Sequence, residues 1–205
     1  MEEKIKFVQH NSIKIVGSKI IYIDPFKIDQ NYNDADYIFC THSHYDHFSS
    51  ADIKKVIKNN TKIITVESSK NDAENLTKNV IIVKPENKYK DCELEFYTTY
   101  AYNINTKFHP KENNWVGYII KLDDISYYIA GDTDNIPEIQ KIKCDIALLP
   151  IGGTYTMDYN EAAKLANNID AKIIIPTHYG VIVGNKEDAQ KFLRKVNNKK
   201  VKIFN

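Results

Sequence analysis

Cysteine is scarce in this chain, and so are the residues that loosen a backbone. Three cysteines in 205 residues, Cys40, Cys92 and Cys144, are odd in number and far apart, each set among apolar or strand-like neighbours. That pattern excludes a disulfide scaffold and points to buried free thiols in a reducing, cytoplasmic setting. Seven glycines and six prolines make no linker. With no internal repeat or low-complexity tract, a single domain over 1–205 is expected. No apolar run approaches the ~20 residues that a membrane helix needs. The charged–apolar alternation from Met1 to Phe7 reads as a strand and not as a signal peptide. Net charge is nearly absent: 28 Lys+Arg against 27 Asp+Glu leave +1, no footprint for a protein that grips nucleic acid electrostatically. Disorder is excluded by 27% charged and 11% aromatic residues, and a chain of this length removes roughly 70% of its unfolded surface from water.

What is present is strand, then strand alternating with helix. Apolar runs around Ile5–Gln9, Ile13–Ile15 and Ile20–Ile23, with Asn11-Ser12 and Gly17-Ser18 between them, predict a meander of hairpins closed by Asp24-Pro25. Strands follow at Tyr37–Cys40, Ile63–Val66, Val80–Val83, Leu94–Tyr100, Trp115–Leu122, Ile125–Ala130, Ile146–Ile151 and Ile173–Ile175. Helical spacing predicts helices opening at Ser50 and over Ser69–Thr77, Asp158–Asn168 and Lys186–Val196. The basic end, Lys195–Lys202, reads as a solvated face. Two sheets with helices covering them, an α/β fold, is the expected architecture.

The chemistry is concentrated in His42-Ser43-His44-Tyr45-Asp46-His47, three imidazoles and a carboxylate in six residues, after an apolar strand and before a predicted helix. In extended backbone His42 and His44 project to one side. A turn at Tyr45 lets Asp46 and His47 face a second point. Imidazole and carboxylate are the donors that borderline divalent ions prefer; a His-rich surface turn is the plain alternative. Asp132, in Gly131-Asp132-Thr133-Asp134, and His178, in Pro176-Thr177-His178, stand at the ends of apolar strands. An isolated Gly-Asp-Thr-Asp would be read as a turn, and a lone histidine as a satisfied core residue.

Together these segments resemble the metallo-β-lactamase superfamily. Thr41–His47 is similar to its H-x-H-x-D-H signature, Tyr128–Thr133 to its G-D-T element, and Ile175–Gly180 to its late strand-end histidine. Val8–Ser12, Ile23–Phe26 and Leu149–Thr154 resemble the branch that contains L-ascorbate 6-phosphate lactonase and N-acyl-phosphatidylethanolamine phospholipase D. The resemblance runs from about residue 5 to 185 and implies a four-layer αββα sandwich of two mixed sheets flanked by helices. It implies two divalent ions, zinc or manganese: His42 and His44 on the first, Asp46 and His47 on the second, His178 as a further ligand, with Asp132 bridging and Asp46 or Asp132 relaying a proton. The implied activity is hydrolysis by a metal-activated water of an ester, lactone or phosphoester of a small anionic substrate.

One position departs from the pattern. The family supplies a third histidine to the first metal from a strand end, where this chain has Asn103 in Thr99-Tyr100-Ala101-Tyr102-Asn103. An amide oxygen is a weak zinc ligand beside imidazole, so His109, six residues on, is expected to take that place from its loop. Asn103 would then bind substrate or position the loop. Asp24 resembles the family's early aspartate, which supports the metal loop, but a plain Asp-Pro turn is an equal reading. His10 is not counted as a ligand. Gly152–Thr156 reads equally as a substrate-contacting or a simple flexible loop. Competing functions are a nuclease or phosphodiesterase of the same fold, a flavodiiron-type oxidoreductase (whose motif has glutamate where His44 stands) and a non-catalytic metal-binding module. Homo-oligomerisation stays open.

Overall fold

Isoleucine-rich runs form the strands of this computed structural model, which describes residues 1–91, 94–104 and 106–204. Cys92 lies outside them. The chain divides into two compact units, one spanning Glu3–Lys84 and the other beginning at Pro85.

The first unit holds a six-stranded mixed sheet. Strands β1 (Ile5–Gln9), β2 (Ser12–Val16) and β3 (Ile20–Ile23) form the antiparallel meander, and β4 (Tyr37–Phe39), β5 (Lys62–Val66) and β6 (Val80–Val83) continue it in parallel, in the order β1-β2-β3-β4-β5-β6. The parallel strands read as near-continuous apolar runs because helices cover their face. Helix α1 (Ser50–Val56) is capped by Ser49, whose hydroxyl accepts from Asp52 N, and buries Ile53 and Val56. A short helix α2 (Lys70–Glu74) buries Ala73. Both pack with Tyr22, Ile38, Cys40 and Ile63 into one apolar cluster.

The second unit holds a seven-stranded mixed sheet. Its strands are β7 (Lys88–Lys90), β8 (Glu95–Tyr100), β9 (Val116–Leu122), β10 (Ile125–Ile129), β11 (Lys143–Pro150), β12 (Asp170–Thr177) and β13 (Lys200–Val201), in the order β13-β12-β11-β10-β9-β8-β7. From β7 to β10 neighbours run antiparallel, and from β10 to β13 parallel. Helix α3 (Tyr159–Asn168) opens on a capping box between Asp158 and Glu161, and α4 (Lys186–Leu193) is held at its start by Asn185 N donating to the Asp188 carboxylate at 2.8 Å. Leu165, Ala166 and Phe192 pack with Ala147, Leu149 and Ile174.

Two strands escaped the sequence pattern. β7 is a three-residue Lys-Tyr-Lys edge, defined by its backbone pairing with β8 rather than by side chains. The basic end is not merely a solvated face: Val201 pairs beside Ile174, and Lys199 Nζ donates to the carbonyls of Ala166 and Ile169, capping the end of α3. Among the described residues, no helix is long and apolar enough to cross a membrane.

Within each sheet the chemistry-bearing residues follow the carboxyl ends of parallel strands, where open α/β sheets place their sites. Asp24 follows β3 and His42–His47 follow β4. Asp132 follows β10, Gly152 follows β11, and His178 follows β12.

Candidate metal-binding residues

In the first unit everything turns on the buried Asp24 carboxylate. It accepts from Thr41 N at 2.8 Å, Thr41 Oγ1 at 2.8 Å, Asn11 Nδ2 at 2.7 Å and His47 Nδ1 at 2.7 Å. Four donors on one fully buried acid are far more than an Asp-Pro turn requires, so the supporting reading of Asp24 is the one the geometry matches. The bond to Asp24 puts the ring proton of His47 on Nδ1 and leaves Nε2 as the lone-pair nitrogen. Thr41 Oγ1 gives its proton to Asp24, so at 3.0 Å it accepts from His42 Nδ1, and His42 Nε2 likewise carries a lone pair.

The lone-pair nitrogens face other nitrogen and oxygen atoms able to ligate a metal. His42 Nε2 lies 3.0 Å from His44 Nδ1, and His47 Nε2 lies 3.5 Å from Asp46 Oδ2. The segment is a series of bends and turns rather than the extended run expected, yet it brings His42 and His44 together, and Asp46 and His47 together.

His10 is the residue that sequence reasoning did not count. It occupies the tip of the β1–β2 hairpin with a left-handed φ of 60°, is fully buried, and its Nε2 lies 3.2 Å from Asp46 Oδ2. Its ring also packs edge-on against His47 and Phe26. A histidine where a hairpin normally wants asparagine or glycine was the available signal.

In the second unit Asp132 is the focus. His109 Nε2 lies 3.3 Å and His178 Nε2 3.1 Å from Asp132 Oδ2, and all three residues are buried. Asp134, the alternative carboxylate, is occupied elsewhere: it accepts from Asn103 Nδ2 at 2.9 Å and Ile104 N at 2.7 Å. Asn103 Oδ1 faces His109 Nδ1 at 2.8 Å. His178 takes a left-handed φ of 57°, as Asp24 does at 42°. Such backbones cost about 1 kcal/mol or more each and collect where a side chain must be aimed. Gly152 is required beside His178, because a Cβ there would sit on the His178 carbonyl oxygen and 3.3 Å from Nδ1. The Gly152 loop is tied down by a bridge to Asp158, not free.

The donor atoms fit a divalent ion. At a metal–nitrogen length of about 2.0–2.1 Å, two ligands on one ion are ~2.9 Å apart at a right angle and ~3.3 Å apart in a tetrahedron. The separations above, 3.0 to 3.5 Å, lie above the right-angle edge and on either side of the tetrahedral one. Nitrogen and carboxylate oxygen without thiolate suit zinc or manganese alike.

Comparison with known proteins agrees. Residues 4–178 match the model of the β-lactamase superfamily domain. A UPF0173 metal-dependent hydrolase of Pyrococcus horikoshii is 31% identical, over 96% of this chain and 93% of its own, and one of Nanoarchaeum equitans is 32% identical over 98% and 95%. Among crystal structures, a candidate metal-dependent hydrolase from Parabacteroides distasonis superposes with a TM-score of 0.83 at 30% identity, covering 97% of this chain and 91% of that one. Igni18, a metallo hydrolase from Ignicoccus hospitalis, shares the fold at a TM-score of 0.77 and 23% identity, with 98% and 94% covered.

Proposed function

The chain belongs to the metallo-β-lactamase superfamily and is a metal-dependent hydrolase, and we propose that it is a binuclear one, acting on an ester, lactone or phosphoester of a small anionic substrate. His42, His44 and His109 would hold the first ion, Asp46, His47 and His178 the second, and Asp132 would span both. The observation that carries this reading is the His47–Asp46 pair. With its Nδ1 proton given to Asp24, His47 turns a lone pair toward another acceptor, Asp46 Oδ2, at 3.5 Å. Two buried acceptors at that distance gain from a cation shared between them, either a second ring proton or a metal. Family membership favours the metal.

Two divalent ions supply Lewis acidity, lowering the pKa of a bound water from ~15.7 toward 7 and drawing charge from the scissile oxygen. The chain supplies aim and proton traffic. Asp24 and Thr41 hold His47 and His42 in the required tautomers, which matters because ligand histidines depend on such acceptors for ring orientation. Asp132 or Asp46 would present the carboxylate oxygen that takes the proton of the attacking water and returns it to the leaving oxygen. Neither described thiol takes part: the Cys40 and Cys144 thiols are buried, and burial, with Asp145 beside it, pushes the Cys144 thiol up to about 12.

A cleft of about 750 Å³ on the second unit is lined by Thr106, Lys107, Lys111 and Glu112 among others, with Lys111 paired to Glu138, and could admit a small substrate. The Val8–Ser12 and Leu149–Thr154 segments favour the lactonase and phospholipase branch. Residues 1–205 are taken as one functional domain and the cytoplasm as its location. A nucleic-acid substrate is disfavoured by the net charge of +1.

The test is a panel of lactone, phosphomonoester and phosphodiester substrates with zinc- or manganese-loaded protein. Turnover that disappears in the double variant His44→Ala/Asp132→Ala supports the reading. Turnover confined to phosphodiesters would favour the phosphodiesterase alternative, and full activity in the double variant would refute metal-dependent chemistry at these residues.

A further inference from the structure

We propose that Asn103 is the positioning residue that makes His109 a metal ligand, fixing its tautomer and its place so that a loop histidine can serve where the family uses one from a strand end. This inference rests on the metal-dependent reading above and deepens it.

The argument is an accounting of one amide. Asn103 is buried just beyond β8. Its Nδ2 donates to Asp134 Oδ1 at 2.9 Å and to the Tyr155 carbonyl oxygen at 2.9 Å. A carbonyl oxygen only accepts, and so does an ionised carboxylate, so these two contacts settle which end of the amide is nitrogen. Oδ1 therefore faces the other way, where it accepts from Thr106 Oγ1 at 2.9 Å and from His109 Nδ1 at 2.8 Å. Both amide hydrogens and both oxygen lone pairs are used. Asn103 has no capacity left to ligate a metal or to bind substrate, so of the readings open for it only positioning survives.

The consequence falls on His109. An amide oxygen cannot donate, so Nδ1 carries the imidazole proton and the lone pair sits on Nε2, the atom 3.3 Å from Asp132 Oδ2. The loop is closed at its base as well, with Asn103 N donating to the His109 carbonyl at 2.8 Å. Edge-on packing against Trp115, with ring centroids 5.4 Å apart, holds the imidazole plane. Through Asp134, which also accepts from Ile104 N, and through Tyr155, the same amide ties the His109 loop to the turn after Asp132 and to the Gly152 loop.

Two variants and two readouts test it. Asn103→Leu keeps the size and removes every side-chain hydrogen bond. The exchange Asn103→Asp/Asp134→Asn swaps acid and amide, keeping the bond between the two side chains and an acceptor against His109 Nδ1 while giving up the bond to the Tyr155 carbonyl oxygen. Long-range 1H–15N spectra of the metal-free protein report the His109 tautomer, and chelator competition reports the affinity of each metal. The Nδ1–H tautomer is expected in the wild type and in the exchange variant. In Asn103→Leu, a mixed or Nε2–H tautomer is expected, with one metal weakened about 10–100-fold, the range typical of lost ligand support, and the other unchanged. An Nε2–H tautomer in the wild type, or wild-type affinity for both metals in Asn103→Leu, overturns the proposal. A wild type with the Nδ1–H tautomer that binds no metal would sink the metal reading while leaving the clamp in place. Should Asn103→Leu fail to fold, the tautomers of the wild type and the exchange variant still decide.

Discussion

Replacing Asp24 by asparagine changes one heavy atom, an oxygen to a nitrogen, and the shape almost not at all, yet a large effect is expected. Oδ2 is the meeting point of Asn11 Nδ2, Thr41 Oγ1 and His47 Nδ1, while Oδ1 takes Thr41 N. An amide that keeps its oxygen toward Thr41 N must present NH2 to three donors. The Thr41 hydroxyl can rotate and accept. Asn11 Nδ2 cannot, and His47 can do so only by moving its proton to Nε2, which takes that nitrogen away from a metal. Two charge-assisted hydrogen bonds at about 1.5–3 kcal/mol each are lost, so Asp24→Asn should cost about 3–6 kcal/mol. At roughly 2–4 °C per kcal/mol for a chain of this size, the metal-free protein should melt about 6–24 °C below the wild type. The His47 metal should be held about 10–100-fold more weakly. Thermal unfolding with chelator present measures the first and competition titration the second. A variant that melts within ~1 °C of the wild type, a margin below 1 kcal/mol on the same scale, and keeps its metal affinity would refute the claim that Asp24 fixes the His47 tautomer.

Acid stability offers an independent check away from the site. Lys172 Nζ at 2.6 Å, then Ser126 N and Oγ, hold the Asp145 carboxyl down to about 2 from the ordinary 3.8. A depressed folded-state pKa contributes stability that is complete above pH 4 and is lost as pH falls toward 2. At face value the gap is worth about 2 kcal/mol, and about 1 kcal/mol after allowing for screening around the exposed Lys172. Asp145→Asn should therefore lose about that much stability at pH 7 and flatten the part of the pH 2–4 slope that Asp145 supplies, as read by urea midpoints; an unchanged slope would contradict the pairing. Thiol labelling tests the buried cysteines: in Cys92→Ser protein the native fold should leave Cys40 and Cys144 unreactive at pH 8, and denaturant should expose two thiols. Rapid native labelling would show that their burial is wrong.

Much of this architecture is written in local pattern. Ile20–Ile23 and Tyr37–Phe39 are apolar enough to declare buried strands, and Asp158 with Glu161 marks the start of α3 before any tertiary contact is considered. The His42–His47 cluster was legible for a different reason: its density of imidazole has no cheap structural explanation. What escaped depended on partners far along the chain. Asp24 reads equally as a turn former and as a support for the metal loop until Asn11, Thr41 and His47 are placed around it. His10 could be read only as a strand-end or supporting residue, because a turn residue's side chain takes its meaning from whatever the turn is folded against, here Asp46. Asn103 and His109 could be weighed as rival ligands, but only the full set of four amide contacts separates the supporting residue from the supported one. β7, a Lys-Tyr-Lys edge, carries no side-chain signal because backbone pairing alone defines it.

The measurement that bears most directly on the central claim is metal stoichiometry by elemental analysis, on wild-type protein and on His42→Ala and His178→Ala singly. Two divalent ions per wild-type chain are expected, with each substitution removing one and sparing the other. A wild type that holds no tightly bound divalent ion after loading, or single variants that keep both, would contradict the assignment of these histidines to two separate metals.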